Sequence, residues 1–357
     1  MIRRMPSDLW LSLSVLAVVL IVAGAALAAA VVFLMARALL RPPRMTDGKA
    51  VWVLKRLSPG DLGLNYEEMS FDVRDERSGE PLRIMGWWVP ASGANGGAVA
   101  EASSDRCVVL IHGYADAKVG AIAWAPIWHE LGYHVLALDL RAHGESGGVE
   151  MTAGYFERHD VEQVIGQLRA QRARQTERIV LFGISLGGSV AAAVAAGQTA
   201  DVAAVVLESP VGDLRTAAMA HMDALGLPGR PFQRAALWLA ERMSGARFAD
   251  VRTIDLIGKV PCPVMVIAPA SDLFRTEAEA AAIDAAVKGR PPVAGPGQVW
   301  RLDADHLMAV SADPAEYRYR LAKFLGEALD GSHAGAFPHT DSKLVPQAGV
   351  ITGRDLL

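Results

Sequence analysis

The chain has 357 residues, of which 52% are apolar and 21% are charged, and its formal net charge is −4. This composition excludes an intrinsically disordered chain. The mildly acidic balance, without a long basic run outside the N-terminal region, argues against a nucleic-acid-binding protein. The two cysteines, Cys107 and Cys262, cannot form a disulfide framework and lack the spacing of metal ligands. We therefore expect a folded protein with no metal site and no nucleic-acid partner.

The N-terminal region contains a long apolar segment. Residues 9–36 include no Asp, Glu, Lys, Arg or His. A helix needs about 20 such residues to cross the roughly 30 Å hydrocarbon layer of a membrane. We predict a transmembrane helix over 9–36, preceded by a flank over 1–8 and followed by a juxtamembrane stalk over 37–64. A cleaved signal peptide is the alternative, but its apolar region should span only about 7–15 residues.

Charges on both sides of this segment bear on its orientation. The C-terminal flank carries the basic residues Arg37, Arg41, Arg44, Lys49 and Lys55. The positive-inside rule then favours a single-pass protein with its C-terminal domain in the cytoplasm. A translocated domain is the alternative, because a basic N-terminus is also typical of that topology. We expect deletion of residues 1–44 to leave a soluble, active domain, and residues 49–57 either to lie on the membrane or to begin that domain.

The remaining chain alternates short apolar runs with helical patterns. The predicted strands are 69–73, 84–89, 107–111, 134–138, 179–182, 202–207, 264–268 and 298–302, and the main predicted helices are 117–131, 155–174, 186–197, 277–288 and 314–329. Strands that are apolar without interruption are typical of a sheet covered on both faces. This alternation predicts an α/β fold with a mostly parallel sheet of about eight strands and helices on both faces.

Three segments interrupt the alternation. Residues 91–105 are rich in Gly, Ser and Ala without periodicity and predict a surface loop. Residues 210–260 form an insertion that we expect to act as a lid above the carboxyl ends of the strands, where ligands bind in open α/β sheets. Residues 331–357 predict a flexible C-terminal tail after a globular domain over 65–330.

A Gly-x-Ser-x-Gly pattern covers residues 183–187, directly after the predicted strand 179–182. The small residues permit a tight strand-to-helix turn, which strains the backbone of Ser185 and exposes its oxygen above the sheet. The next amide, that of Leu186, then lies at a helix N-terminus, where it can stabilise negative charge. The pattern predicts Ser185 as a nucleophile. An ordinary glycine-rich turn with an unreactive serine is the alternative.

A serine nucleophile needs a base and an orienting carboxylate. With this turn, the chain order is Ser, acid, His. The histidines after the serine are His221, His306, His333 and His339. His306 follows the predicted strand 298–302 and is therefore expected at the same sheet edge as Ser185, whereas the others lie in the insertion or the tail. We predict His306 as the base.

The orienting acid should follow a neighbouring strand. Asp272 follows the predicted strand 264–268 and would emerge beside the loop of His306. Asp213 and Glu208, after the preceding strand, are the alternatives. We predict Asp272 as the acid.

A second amide for an oxyanion should come from the loop after the strand 107–111. The loop sequence is His112-Gly113-Tyr114, in which Gly113 lets the backbone turn towards the nucleophile. We predict the amide of Tyr114 as the second donor. A polar cluster over 139–147 is compatible with a metal or phosphate site, but a packed polar loop beneath the active site is favoured.

In these segments the sequence resembles the α/β-hydrolase superfamily. The matching elements are HGY at 112–114, DLRAHGESGG at 139–148, GISLGG at 183–188, ASD at 270–272 and ADH at 304–306. Within the superfamily it looks like small-lidded serine hydrolases with one N-terminal membrane anchor. The resemblance implies Ser185 as nucleophile, Asp272 as acid, His306 as base, Tyr114 and Leu186 as oxyanion donors, and no cofactor. Many relatives have a His-Gly pair shortly before the acid, where this chain has Ala268-Pro269.

We therefore expect a membrane-anchored serine hydrolase that cleaves small-molecule or lipid-like acyl esters or thioesters through an acyl-enzyme. A serine peptidase or an acyltransferase on the same fold is the alternative, because fold does not fix function. A non-catalytic, membrane-anchored binding protein is a third hypothesis. Within the insertion, Trp238, Leu239 and Met243 are expected either to line an acyl pocket or to belong to the core.

Overall fold

The computed structural model describes residues 7–91, 104–198 and 200–330. The predicted tail over 331–357 and most of the predicted loop over 91–105 lie outside the described residues. The strands are β1 (Glu67–Arg74), β2 (Pro81–Val89), β3 (Arg106–Ile111), β4 (His134–Leu138), β5 (Arg178–Ile184), β6 (Ala204–Glu208), β7 (Val264–Ser271) and β8 (Gly297–Asp305).

The helices alternate with these strands along the chain. They are α1 (Ser7–Leu40), α2 (Asp47–Leu54), α3 (Lys118–Ala121), α4 (Ala125–Glu130), α5 (Glu157–Gln171), α6 (Leu186–Gly197), α7 (Leu214–Ala224), α8 (Arg230–Ser244), α9 (Thr253–Leu256), α10 (Glu277–Lys288), α11 (Ala309–Ala312) and α12 (Pro314–Leu325). Short 3-10 turns lie at Pro59–Leu62, Ile122–Trp124, Ala173–Thr176, Phe248–Val251, Ile257–Lys259 and Pro292–Ala294.

The eight strands form one sheet in the order β1-β2-β4-β3-β5-β6-β7-β8. The pairs β1–β2 and β2–β4 are antiparallel, and the remaining five pairs are parallel. This architecture confirms the predicted α/β fold with a mostly parallel eight-stranded sheet.

Alternating side chains of β3 illustrate how the sheet is covered. Val108 and Leu110 pack in one apolar core, which also contains residues of α2, α4, α11 and α12. Cys107, Val109 and Ile111 pack in a second core on the opposite face, against α5, α6 and α10. Because both faces are buried, the strand is apolar at every one of these positions, as the sequence indicates.

Helix α1 continues through Leu40, four residues beyond the predicted transmembrane segment. Its side chains are exposed over residues 10–27, whereas Met35, Ala36 and Leu40 are buried. Helix α2 follows Pro42 and Pro43 and buries Ala50 and Leu54 in the first core. Residues 47–54 therefore pack against the globular domain. The segment predicted as a stalk therefore packs on the domain at both of these helices.

The predicted insertion contains the helices α7, α8 and α9, and α7 and α8 lie above the carboxyl ends of the strands. A third apolar cluster joins them to the strand-to-helix turn of Ser185, through contacts among Leu186, Leu237 and Phe248. The buried end of α1 belongs to the same cluster. The segment predicted as a lid thus packs both on the turn of Ser185 and on the N-terminal helix.

Candidate active site

Three loops at the carboxyl edge of the sheet bring together residues far apart in sequence. Ser185 follows β5, Asp272 follows β7 and His306 follows β8. The Oγ atom of Ser185 lies 3.0 Å from Nε2 of His306. The Nδ1 atom of the same ring lies 2.8 Å from Oδ2 of Asp272. All three side chains are buried, so the structure places the three predicted residues in one hydrogen-bonded chain.

The carboxylate determines the protonation pattern of this chain. Ionised Asp272 can only accept hydrogen bonds, so Nδ1 of neutral His306 carries the proton and Nε2 accepts from the Ser185 hydroxyl. The other carboxylate oxygen, Oδ1, accepts from the amide of Phe274 at 2.9 Å. The Phe274 ring packs edge-on against the imidazole, with centroids 5.0 Å apart. Phe274 therefore fixes both the acid and the base.

The turn at Ser185 is strained, as the sequence pattern predicts. The serine has φ 53° and ψ −116°, a conformation that non-glycine residues rarely adopt. A Cβ atom on Gly187 would lie 2.1 Å from the carbonyl oxygen of Ile111, and one on Gly183 would lie 2.4 Å from that of Gly187. Both positions therefore require glycine, because any side chain would collide with backbone atoms.

The alternative acids have other partners. Glu208 is fully buried and accepts a hydrogen bond from the Tyr317 hydroxyl at 2.8 Å. Burial raises the pKa of Glu208 to about 8. Asp213 caps α7 by accepting from the amide of Arg215 and pairs with Arg252. The structure thus brings Asp272, and neither alternative, against the imidazole.

The predicted oxyanion donors flank the serine. Leu186 is the first residue of α6, where a helix leaves its amide without an intrahelical partner. The loop after β3 passes so close that a Cβ atom on Gly113 would lie 3.2 Å from Cβ of Ser185. His112 accepts from the amide of Leu140 through Nε2 and donates through Nδ1 to the Gly113 carbonyl. This bond turns the carbonyl towards His112, so the adjoining N–H of Tyr114 points the opposite way.

The polar cluster over 139–147 forms an internally bonded loop below the site. Asp139 is fully buried and accepts from the amide and the ammonium group of Lys118 and from the amide of Glu145. Arg141 forms a paired hydrogen bond with buried Asp160. Within residues 7–91, 104–198 and 200–330, no group of three or more His, Cys, Asp or Glu side chains is arranged to hold a metal ion. The contacts favour the structural interpretation of this loop.

An apolar cavity opens beside Ser185. Its walls are formed by Leu39, Leu40, Tyr114, Met151, Ser185, Leu186, Val211, Leu214, Ala217, Ala218, His221, Leu237, Phe248 and Phe274. The predicted pocket residues Trp238, Leu239 and Met243 are not among these residues, and Trp238 is 59% exposed. Of the two expected outcomes, Leu239 and Met243 take the second, because they pack against the third apolar cluster, and Leu237 is the residue of α8 that faces the cavity.

Sequence reasoning also missed a residue that supports the histidine loop. The Oγ atom of Ser209 accepts from the amide of Leu307, the residue directly after His306. Ser209 has φ 47° and follows the carboxyl end of β6, so it contacts the loop from the neighbouring strand. No motif in the sequence marks this serine. Its role depends entirely on a contact between positions 98 residues apart.

Comparisons with known proteins agree with the fold. Residues 102–256 match a family described as "Serine aminopeptidase, S33". The esterase Pf2001 of Pyrococcus furiosus superimposes with a TM-score of 0.63 at 22% identity, covering 82% of this chain and 98% of the esterase. The chain has the α/β-hydrolase fold. The family match includes Tyr114 and Ser185 and ends before Asp272 and His306.

Two curated relatives match part of this chain in sequence. "Uncharacterized protein YfhR" of Escherichia coli O157:H7 is 30% identical over 157 residues, which are 43% of this chain and 50% of that protein. "Uncharacterized protein YqkD" of Bacillus subtilis (strain 168) is 25% identical over 171 residues, 47% of this chain and 56% of that protein. The matched segment thus spans about half the length of either relative.

Proposed function

We propose that this protein is a membrane-anchored serine hydrolase that cleaves esters or thioesters of apolar acyl groups. The observation that carries the proposal is the chain of hydrogen bonds from Ser185 through His306 to Asp272, at 3.0 and 2.8 Å. These distances allow proton transfer from a hydroxyl to an imidazole and stabilisation of the resulting imidazolium by a carboxylate.

Acylation begins when Oγ of Ser185 attacks the acyl carbonyl carbon while His306 takes the hydroxyl proton on Nε2. The carbonyl π electrons move to oxygen, and the amides of Leu186 and Tyr114 donate to the resulting oxyanion. When the tetrahedral intermediate collapses, the bond to the leaving alcohol or thiol breaks and Nε2 protonates that group. The acyl group is then bound to Ser185 as an ester.

Deacylation repeats these steps with water. His306 removes a proton from water, the hydroxide oxygen attacks the acyl carbon, and the bond to Ser185 breaks as Nε2 returns the proton to Oγ. A carboxylic acid leaves and the free serine is restored. Every group in the cycle comes from the chain, the substrate or water, so the proposal includes no cofactor.

The walls of the cavity support an apolar acyl substrate over an amino-terminal peptide. An aminopeptidase must hold a charged amino group, for which a buried carboxylate is the usual partner. None of the described residues around this cavity is acidic, and eleven of its fourteen side chains are Leu, Met, Val, Ala or Phe. Burial also lowers the pKa of His221, which keeps this wall residue neutral.

The exposed, apolar part of α1 supports membrane anchoring. Residues 10–40 form a helix that is long and apolar enough to span a bilayer. A signal sequence has the same composition, and the proposal of a retained anchor rests on the length of the apolar run. The basic residues after it favour a cytoplasmic domain. The side of the membrane can be tested by substituting Glu80→Cys and adding a membrane-impermeant maleimide. We expect the new cysteine to react only after the cells are permeabilised.

A fluorophosphonate probe tests the chemistry directly. Wild-type protein should be labelled at Ser185, and Ser185→Ala should not be labelled while keeping its melting temperature. Unlabelled wild-type enzyme should hydrolyse p-nitrophenyl acyl esters faster than aminoacyl p-nitroanilides. A folded wild-type protein that neither reacts with the probe nor hydrolyses any ester or anilide would instead be a binding protein. Preferential cleavage of the anilides would move the assignment to a peptidase.

A further inference from the structure

The last turns of α1 have a buried stripe that the exposed part of the helix lacks. Partly or fully buried positions recur at 28, 31, 32, 35, 36, 39 and 40, the spacing of one helix face. These side chains pack against α8 and the rest of the lid cluster. The end of the N-terminal helix is therefore part of the globular domain.

Hydrogen bonds and ion pairs hold this helix end in place. The amide of Met151 donates to the carbonyl of Leu40 at 2.8 Å. Arg41 pairs with Glu150 at 3.0 Å. Arg44 donates to four backbone carbonyls of the loop over 143–148. These contacts fix the register of α1 against the domain, so the segment after the helix is not a free tether.

The length of the exposed part agrees with this division of α1. Residues 10–27 are 18 residues without a buried position. At 1.5 Å per residue they extend about 27 Å, close to the roughly 30 Å thickness of the hydrocarbon layer. Residues 28–40 therefore lie at the membrane surface and beyond it, where they meet the lid.

This packed end also forms part of the cavity beside the nucleophile. Leu39 and Leu40 line the same apolar space as Ser185 and Leu186. In addition, the hydroxyl of Tyr114 donates to the carbonyl oxygen of Ala38 at 3.2 Å. The helix thus contacts both the cavity and the loop that carries the second predicted oxyanion donor.

We propose that the membrane helix supplies one wall of the acyl-binding cavity, and that Leu39 and Leu40 determine the length of acyl chain that the enzyme accepts. The substrate class is an ester or thioester of an aliphatic acid, whose chain packs against the end of α1. This inference rests on the proposed function.

The test uses the full chain in lipid nanodiscs and p-nitrophenyl esters of increasing acyl length, from acetate to palmitate. Leu39→Trp adds volume to the cavity wall. Leu34→Trp is its matched control, since Leu34 is 61% exposed on the same helix and does not line the cavity. Leu40→Ala removes volume from the same wall. Melting temperature and the rate of labelling by a small fluorophosphonate check each variant for an intact fold and an intact nucleophile.

We expect Leu39→Trp to lower the ratio of kcat/KM for palmitate to kcat/KM for acetate at least tenfold. Leu40→Ala should shift the preference towards longer chains, and Leu34→Trp should keep the wild-type profile. An unchanged profile in both cavity variants, or an equal loss at every chain length, would overturn the inference. If Leu39→Trp does not fold, Leu40→Ala tests the inference alone: a shift towards longer esters supports it, and no shift or a shift towards shorter esters overturns it.

These outcomes are distinct from failure of the proposed function. If wild-type protein hydrolyses no ester and resists the fluorophosphonate, then the proposed hydrolase activity itself is wrong. If wild-type protein is active and the two cavity variants keep its chain-length profile, only the role of the helix is wrong.

Discussion

Oδ2 of Asp272 lies 2.8 Å from Nδ1 of His306, and both side chains are at least 97% buried although 34 positions separate them. A hydrogen bond of this kind fixes one tautomer of the imidazole and leaves Nε2 free to accept from a hydroxyl. The same carboxylate is held by the amide of Phe274, so its orientation does not depend on the imidazole alone.

Replacing this carboxylate tests its assignment. We expect Asp272→Asn to lower kcat by about 10³–10⁴-fold, because the amide would favour the wrong imidazole tautomer. Asp213→Asn is the matched control: this residue caps α7 and pairs with Arg252, so kcat should stay within about threefold. Steady-state hydrolysis of one ester by both variants gives the comparison. The opposite ranking would move the acid to the loop after β6.

The turn around Ser185 should tolerate no side chain at Gly187. We expect Gly187→Ala to destabilise the protein by more than about 4 kcal/mol or to prevent folding, because the new Cβ atom would lie 2.1 Å from a carbonyl oxygen. Gly166→Ala is the control, since it lies on the exposed side of α5 with no atom within 4 Å of the new Cβ. That change should stabilise the helix by about 0.5–1 kcal/mol. Thermal unfolding measures both, and a mild effect at Gly187 would contradict the geometry.

The buried carboxyl of Glu208 predicts a pH-dependent stability. Burial raises its pKa to about 8, so between about pH 4.5 and 8 the folded state holds a proton that the unfolded state releases. The contribution of Glu208 to the free energy of unfolding is therefore fully present below the pKa of the unfolded state. It decreases as the pH rises towards 8, by up to about 1.4 kcal/mol per pH unit. Glu208→Gln keeps an acceptor for Tyr317 and does not titrate.

We expect the stability of Glu208→Gln relative to wild type to increase from pH 5 to pH 8.5. Unfolding of both proteins at several pH values gives the difference, in which the contributions of all other titrating groups cancel. A difference that stays constant across this range would mean that Glu208 is ionised in the folded protein.

Truncation should distinguish the exposed part of α1 from its packed end. Among the described residues, deletion of residues 1–27 removes only positions that make no buried contact with the domain, so we expect a folded protein that remains reactive towards a fluorophosphonate. Deletion of residues 1–44 also removes Leu40, which is fully buried, and the pair between Arg41 and Glu150. The sequence alone predicts that this shorter protein is soluble and active.

The structure changes that expectation. We expect the protein lacking residues 1–44 to melt at least about 5 °C below the protein lacking residues 1–27, because it exposes the lid cluster. Equal melting temperatures and equal ester kinetics for the two truncations would show that the end of α1 is not part of the folded domain.

The sequence by itself determined the sheet and the positions of the three residues at its edge. Strands covered on both faces are apolar throughout, and the carboxyl ends of parallel strands meet at one edge whatever the details of packing. Ser185, Asp272 and His306 follow β5, β7 and β8 directly, so knowing where those strands end was enough to bring the residues together.

Only the tertiary structure decided which helix faces line the cavity. Trp238 and Leu237 are neighbours on α8, and both are apolar, yet only Leu237 points to the cavity. Likewise residues 15–36 of α1 are apolar on every side, so no contrast between polar and apolar positions marks where the buried stripe that ends at Leu39 and Leu40 begins. Those choices depend on shape complementarity between helices distant in sequence, which hydrophobic patterning does not encode.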